Sequence, residues 1–136
     1  MDFLKSIAIA ASGLRAQAGR MRVVAENIAN ADSTSPTPGG EPYRRKIVTF
    51  RSEVDRALEA RTVALGNSVT DQSEFRSKFE PGHPSADASG YVKYPNVNAL
   101  IETVDLRDAQ RSYEANINVI SASRRMIQRT IEMLKS

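Results

Sequence analysis

From Leu4 onward the chain places an apolar side chain at Leu4, Ile7, Ala11, Leu14, Ala18, Met21, Ala25 and Ile28, in steps that alternate between three and four residues without a break. That heptad spacing belongs to a helix offering one seam to a partner helix, and a strand period cannot produce it. A second stripe, Ala8, Ser12, Ala16 and Gly19, runs beside the first and is made of small residues. Small side chains let a neighbouring backbone come close, so this helix is built to be touched on more than one side.

The same rhythm returns at the other end of the chain, in Tyr113, Ile117, Ile120, Ile127, Ile131 and Leu134, with Arg124 interrupting it. Val119, Ala122, Met126 and Met133 widen that face beyond a narrow seam. The expected fold is therefore mainly α with a small β and loop insertion. Its long N- and C-terminal helices pack as a coiled-coil-like pair, with short strands and loops between them. Periodicity alone fits both an antiparallel pair that hides the two stripes internally and a multi-helix contact completed by other chains.

The 136 residues suit one domain with extended arms. Hydrophobic residues make up 40% of the chain but aromatic ones only 6%, so large core anchors are few and the apolar surface should be long and narrow. The net charge of +3 and pI of about 9.4 admit a nucleic-acid or acidic-membrane partner. Arg15, Arg20, Arg22, Arg124, Arg125 and Arg129 are mixed with acids on the helices, however, and no aromatic cluster, zinc ligand set or helix-turn-helix accompanies them. A basic helical nucleic-acid-binding protein is thus the alternative reading, and solvated helix faces are the plainer one. Without cysteine there is no disulfide and no thiolate chemistry. The apolar run Ile7–Ala11 is too short for a cleaved signal, and cutting there would sever the ladder. No run is long enough to span a bilayer.

The spacing predicts three segments: an N-terminal core helix within 1–34, a middle surface segment over 35–95, and a C-terminal core helix within 96–136. The first helix should run from Phe3 to Asn30, about 40 Å at 1.5 Å per residue. Gly13 and Gly19 inside it each cost about 1 kcal/mol relative to alanine, which close packing would offset. Ser35–Pro42 holds three prolines and two glycines and reads as a loop. Tyr43–Arg51 is rich in strand formers. Arg51–Arg61 suggests a short helix through Val54 and Leu58, and Thr62–Leu65 and Ser68–Thr70 suggest strands turned at Gly66-Asn67. Residues 71–95 should be loops with a short hairpin whose Phe75, Phe79, Tyr91 and Tyr94 form one satellite cluster. Beyond Pro95 neither glycine nor proline occurs. A helix from Asn98 to Leu134, capped by Asn96 or Asn98, would extend about 55 Å.

Catalytic patterns are missing. The single histidine, His83, lies in the turn-like stretch Glu80-Pro81-Gly82-His83-Pro84, and Asp105 with Asp108 has neither partner nor cleft. There is no phosphate-binding glycine loop, nucleophile elbow, zinc pair on a helix or calcium loop. The expectation is a non-enzyme without cofactor or metal. A small hydrolase built on His83 is the remaining catalytic possibility.

Three separated motifs nevertheless carry a resemblance. Ser12-Gly13-Leu14 through Arg20-Met21, continuing from Ala25-Glu26-Asn27-Ile28-Ala29-Asn30 to Thr34, resembles the N-terminal signature of bacterial flagellar rod and hook proteins. Gly82-His83-Pro84 followed by Gly90–Asn98 is similar to the pattern of the proximal rod branch of the flagellar basal-body rod family. Val104-Asp105-Leu106 and Arg111–Asn116 match the start of that family's C-terminal helix. The stretch Ala60–Ser77 matches least. The resemblance implies a structural subunit that polymerises into the proximal rod, carrying torque from the MS ring to the distal rod and hook. Its implied partners are copies of itself, other proximal and distal rod proteins, the MS-ring adaptor and the type III export apparatus, with the surrounding LP ring a further neighbour and no nucleic acid. Its implied location is the periplasmic rod of the basal body, reached without a cleaved signal peptide. What transfers is a contact surface: the ladder from Leu4 to Ile28 with Asn27 and Asn30, and Tyr113, Asn116, Ile117, Ile120, Ile127, Ile131 and Leu134 in the last helix. Asn27 and Asn30 are expected either to bond across subunits or to cap the first helix.

Overall fold

A computed structural model describes residues 2–136. Two long helices bracket three short antiparallel strand pairs: α1 (Phe3–Ala29), β1 (Lys46–Ile47), β2 (Phe50–Asp55), β3 (Ala60–Leu65), β4 (Val69–Thr70), β5 (Arg76–Phe79), β6 (Tyr91–Tyr94) and α2 (Ala99–Lys135). The terminal helices pack together as expected, though through Gly13 against Asn116 and Asn27 against Glu102 rather than through the two apolar ladders. They end within a residue of the expected positions, and each starts at a side-chain cap, of which only Asn98 is expected from the sequence. Asp2 Oδ1 accepts the Lys5 N–H at 3.0 Å at the start of α1, and Asn98 Oδ1 accepts the Leu100 N–H at 3.1 Å at the start of α2.

The chain gathers into two compact units. The first contains the chain up to Met21, Thr49–Asn67 and Arg107–Ser136. Here β2 and β3 pair antiparallel from Phe50↔Leu65 to Asp55↔Ala60. The short helix expected over Arg51–Arg61 is not formed. Asp55 Oδ1 instead accepts the N–H groups of Ala57 and Leu58, at 3.0 and 3.2 Å, and Glu59 closes the four-residue turn with φ of 48°. The Val54 and Leu58 spacing that suggested a helix belongs to a strand end and a turn.

The small-residue stripe of α1 admits this hairpin. Ser12 Oγ accepts the Val63 N–H at 3.2 Å, and a Cβ on Gly19 would lie 2.6 Å from a Leu65 methyl. Gly13 faces α2, where a Cβ would lie 2.7 Å from the Asn116 amide. The glycines that weaken an isolated helix are thus the points of closest approach.

The second unit contains Arg22–Val48 and Ser68–Leu106. β1 pairs with β4 (Lys46↔Thr70, Ile47↔Val69) and β5 with β6 (Arg76↔Tyr94 to Phe79↔Tyr91). The predicted Tyr43–Arg51 strand is therefore divided between two partners, and no hairpin turns at Gly66-Asn67. β3 and β4 on either side of that pair belong to different ladders.

The four aromatics do not form one cluster. Phe79 and Tyr91 meet edge to face at 5.3 Å, Phe75 lies under the Arg44 guanidinium at 4.2 Å, and the Tyr94 hydroxyl donates to Glu80 at 2.8 Å. Strand alternation separates them, since Tyr91 and Tyr94 are three residues apart and face opposite sides. Gly90, with φ of 84°, closes the β5–β6 loop and leaves room for the Phe79 ring.

Candidate assembly surface

The polar centre of the second unit is Asn27, which is 1% exposed and uses its whole amide. Its Oδ1 accepts the Lys46 N–H at 2.9 Å and the Tyr43 hydroxyl at 2.8 Å. Its Nδ2 donates to the Lys46 carbonyl at 2.9 Å and to Glu102 Oε2 at 3.2 Å. The side chain thus pairs with Lys46 much as a neighbouring strand would, strapping Tyr43–Lys46 against α1. Both lone pairs and both amide hydrogens are spent within the chain. Local capping does not describe Asn27, and none of its bonds remains for another subunit. Asn30 does make the local bond, Nδ2 to the Glu26 carbonyl at 2.9 Å.

Glu102 is also 1% exposed, and its second oxygen is bound by Arg45 Nε. Arg45 extends to Asp71 at 3.5 Å and Asp105 at 3.7 Å, while its backbone N–H reaches Asn96 Oδ1 at 2.8 Å. Burial disfavours the Arg45 charge, but the bond and field of Glu102 outweigh it and hold the guanidinium above its usual range. Burial, then the charges of Glu26 and Glu102, push the Tyr43 phenol up to about 12. Hydrogen bonds from the Ser73 N–H and hydroxyl keep the Asp71 carboxyl below its usual range, against the opposing effect of burial. Every charge in this group has a partner, as a buried polar network requires. Its residues hold the fold rather than face a substrate.

The apolar ladder has a different place. The covered residues of α1 include Ala10, Gly13, Val24 and Asn27, each one position before the ladder members Ala11, Leu14, Ala25 and Ile28. A one-residue shift turns a helix by about 100°, so the ladder is rotated away from the covered face. Leu4 is 71% exposed, Ala18 and Ala25 are exposed, and Ile7, Ala11, Leu14, Met21 and Ile28 are half-buried.

α2 repeats the arrangement. Glu102, Ala109, Asn116 and Ser123 recur every seven residues along its covered side. Tyr113, Ile120 and Ile127 are half-buried, whereas Ile117, Ile131 and Leu134 are exposed, the last at 83%. Small and polar residues (Gly13 with Asn116, Asn27 with Glu102) meet where the helices approach most closely, while Leu4, Ile117, Ile131 and Leu134 are left exposed. A second exposed apolar group, Leu100, Ile101 and Val104, opens α2 ahead of the stripe that begins at Tyr113; with members one, three and four residues apart it has no heptad repeat to mark it in the sequence.

His83 accepts the Ser85 N–H on Nδ1 at 3.0 Å, which fixes a turn. No helix of the described residues is long and apolar enough to cross a membrane.

Long paired terminal helices, a polar knot around Asn27 and Glu102, and exposed Leu4, Ile117, Ile131 and Leu134 define a class of protein: a helical assembly subunit. Comparisons give that class its family. The profile described as flagella basal body rod protein matches residues 7–35, and the profile for the C-terminal part of flagellar basal body rod FlgEFG proteins matches residues 88–133. The chain is 50% identical to the flagellar basal-body rod protein FlgC of Agrobacterium fabrum, over 94% of this chain and 92% of that one. It is 40% identical to FlgC of Salmonella typhimurium over 98% of both, and 37% identical to FlgC of Bacillus subtilis over 99% of this chain and 100% of the other. The chain belongs to the flagellar basal-body rod protein family and is a structural rod subunit of the basal body, assembling with other rod and basal-body components.

Proposed function

We propose that this subunit polymerises into the proximal rod and carries torque from the MS ring towards the distal rod and hook. The observation behind this reading is apolar surface left uncovered: Leu4 on α1 and Ile117, Ile131 and Leu134 on α2 are exposed, and Ile7, Leu14, Met21 and Ile28 are only half-buried. A soluble monomer gains nothing by exposing them, whereas neighbouring helices in a tube would cover them. In this reading 1–34 and 96–136 form the rod core and 35–95 its outer surface. The contact residues are the ladder with Asn30, and Tyr113, Asn116, Ile117, Ile120, Ile127, Ile131 and Leu134. Asn27 supports the surface from inside.

Copies of itself, the proximal and distal rod proteins and the MS-ring adaptor are the neighbours of this reading, with the LP ring facing the middle segment. The subunit would reach the periplasm through the type III export apparatus without a cleaved signal peptide. Its role is mechanical and requires no catalysis.

The test is incorporation. Basal bodies from the source bacterium should contain the wild-type chain in their rods, and Leu14→Asp or Ile131→Asp should be exported but absent from them. Full incorporation of both variants would refute the contact surface.

A further inference from the structure

We infer that β2 pairs with β2 of a second copy, edge to edge and antiparallel, about a two-fold axis at Ser52. The contact goes beyond the rod reading and does not depend on it. β2 and β3 form a two-stranded sheet, so each has one edge outside their shared ladder. The outer edge of β3 is met by α1, where Ser12 Oγ accepts the Val63 N–H at 3.2 Å. That bond also fixes the alternation along β2. Val63 turns its N–H away from its partner Ser52, and Gly66 donates its N–H to the Thr49 carbonyl at 2.7 Å, so Thr49, Arg51, Glu53 and Asp55 bond inward to β3. Phe50, Ser52 and Val54 therefore direct their N–H and C=O groups outward, where no partner meets them among the described residues. All of Phe50–Val54 is exposed, and no proline, lysine or bulge blunts this edge.

Charge selects both the partner and the register. An antiparallel copy must set outward-bonding residues opposite one another, which leaves registers centred on Arg51, Ser52 or Glu53. The first places Arg51 against Arg51 and the third Glu53 against Glu53, like charges directly opposite. The second places Arg51 against Glu53 twice over, with Phe50 across from Val54 on the other face. The charged pairs then fall at the positions between hydrogen-bonded pairs, where side chains lie closest. Within one chain Arg51 and Glu53 already touch at 2.9 Å, both well exposed, and the two-fold axis joins two such weak surface pairs into one ring of alternating sign. Neighbouring charges do not oppose this register. Asp55 falls across from Thr49 and Arg56 across from Val48, and Arg61, beside Val54 in its own hairpin, has only Phe50 and Leu65 of the copy along its row. Arg15 of α1 lines the same cleft as Glu53, which sets a cation beside the acid and not a second acid. Because one strand serves both sides, the contact is isologous: it closes at two copies and does not propagate.

The chain has no cysteine, so a single introduced thiol reports the axis. In the pair the two Ser52 Cα atoms lie about 5.5 Å apart, within reach of a disulfide, whereas each Val54 lies about 14 Å from its mate. Purified Ser52→Cys should oxidise to a covalent dimer and Val54→Cys should remain monomeric, with far-ultraviolet dichroism unchanged in both. On the Ser52→Cys background, Arg51→Glu and Glu53→Arg should each slow dimer formation about tenfold, since each places like charges opposite one another. An equimolar mixture of those two variants should regain the original rate as the mixed dimer, because unlike charges then face each other again. No covalent dimer from Ser52→Cys, equal yields from the two cysteine positions, or a mixture no faster than either parent would overturn the pairing.

Discussion

Gly13 on α1 stands against Asn116 on α2 with no space for another carbon: an added Cβ would lie 2.7 Å from the amide nitrogen. Asn116 is itself held by its Nδ2–H bond to the Ser112 carbonyl at 2.9 Å. Gly13→Ala therefore has two opposed effects, a gain in helix propensity of about 1 kcal/mol and displacement of a bonded amide of about the same size. Alone it should leave thermal stability nearly unchanged. On an Asn116→Ala background it should stabilise by about 1 kcal/mol, and a double-mutant cycle by circular dichroism reads the coupling. Strict additivity would show that the two residues are not in contact.

Arg45 neutralises a carboxylate that has no access to water. Arg45→Ala should cost about 3–5 kcal/mol in urea unfolding, because it strands the Glu102 charge. Adding Glu102→Gln should recover part of the loss, since the amide can still bond to Asn27 without carrying a charge. A loss no greater than about 0.5 kcal/mol, the ordinary surface value, would contradict the buried pair.

The Tyr43 phenol should ionise well after a free tyrosine. With its proton held up to about pH 12 in the folded chain and lost near 10 in the unfolded one, its contribution is complete below pH 10 and disappears as pH rises towards 12. Tyr94 adds to the same limb, raised first by its hydrogen bond to Glu80 and then by burial. Tyrosinate absorbance should show a late-titrating group that is missing in Tyr43→Phe. At the acid end the sign reverses for Asp71: its lowered pKa stabilises above the ordinary carboxylate range, and that contribution is lost as pH falls through it.

The exposed stripe should separate folding from assembly. Ile117→Asp and Leu134→Asp should leave monomer stability within about 0.5 kcal/mol of wild type. Both should abolish concentration-dependent association beyond a dimer in sedimentation. Equal loss of both properties would place those side chains in the subunit's own core.

Both helices, the Asn98 cap of α2 and the need for close packing at Gly13 and Gly19 were legible in the sequence, because helical periodicity and capping are local; the Asp2 cap of α1 emerges only in the structure. The rotation of the α1 seam was not. Gly13 and Asn27 are weaker apolar markers than Leu14 and Ile28, but Ala10 equals Ala11 and Val24 exceeds Ala25, so the pattern itself does not choose the inward face and only tertiary contact does. The Arg51–Arg61 segment failed for a similar reason. Glu59 carries no glycine-like signal for a positive φ, and the Asp55 side chain decides between turn and helix. Of the proposed contact surface, the C-terminal residues form a visible pattern, while the burial of Asn27 depends on Tyr43, Lys46 and Glu102, up to 75 positions away.

The outward aliphatic stripes also govern the chain's life before assembly. A free folded subunit displays Leu4, Met133 and Leu134 to water, so on the proposed reading its safe concentration would be set by the rate at which assembly consumes it. Supply that outruns construction should end in clumping, and a cell making this protein must match synthesis to demand.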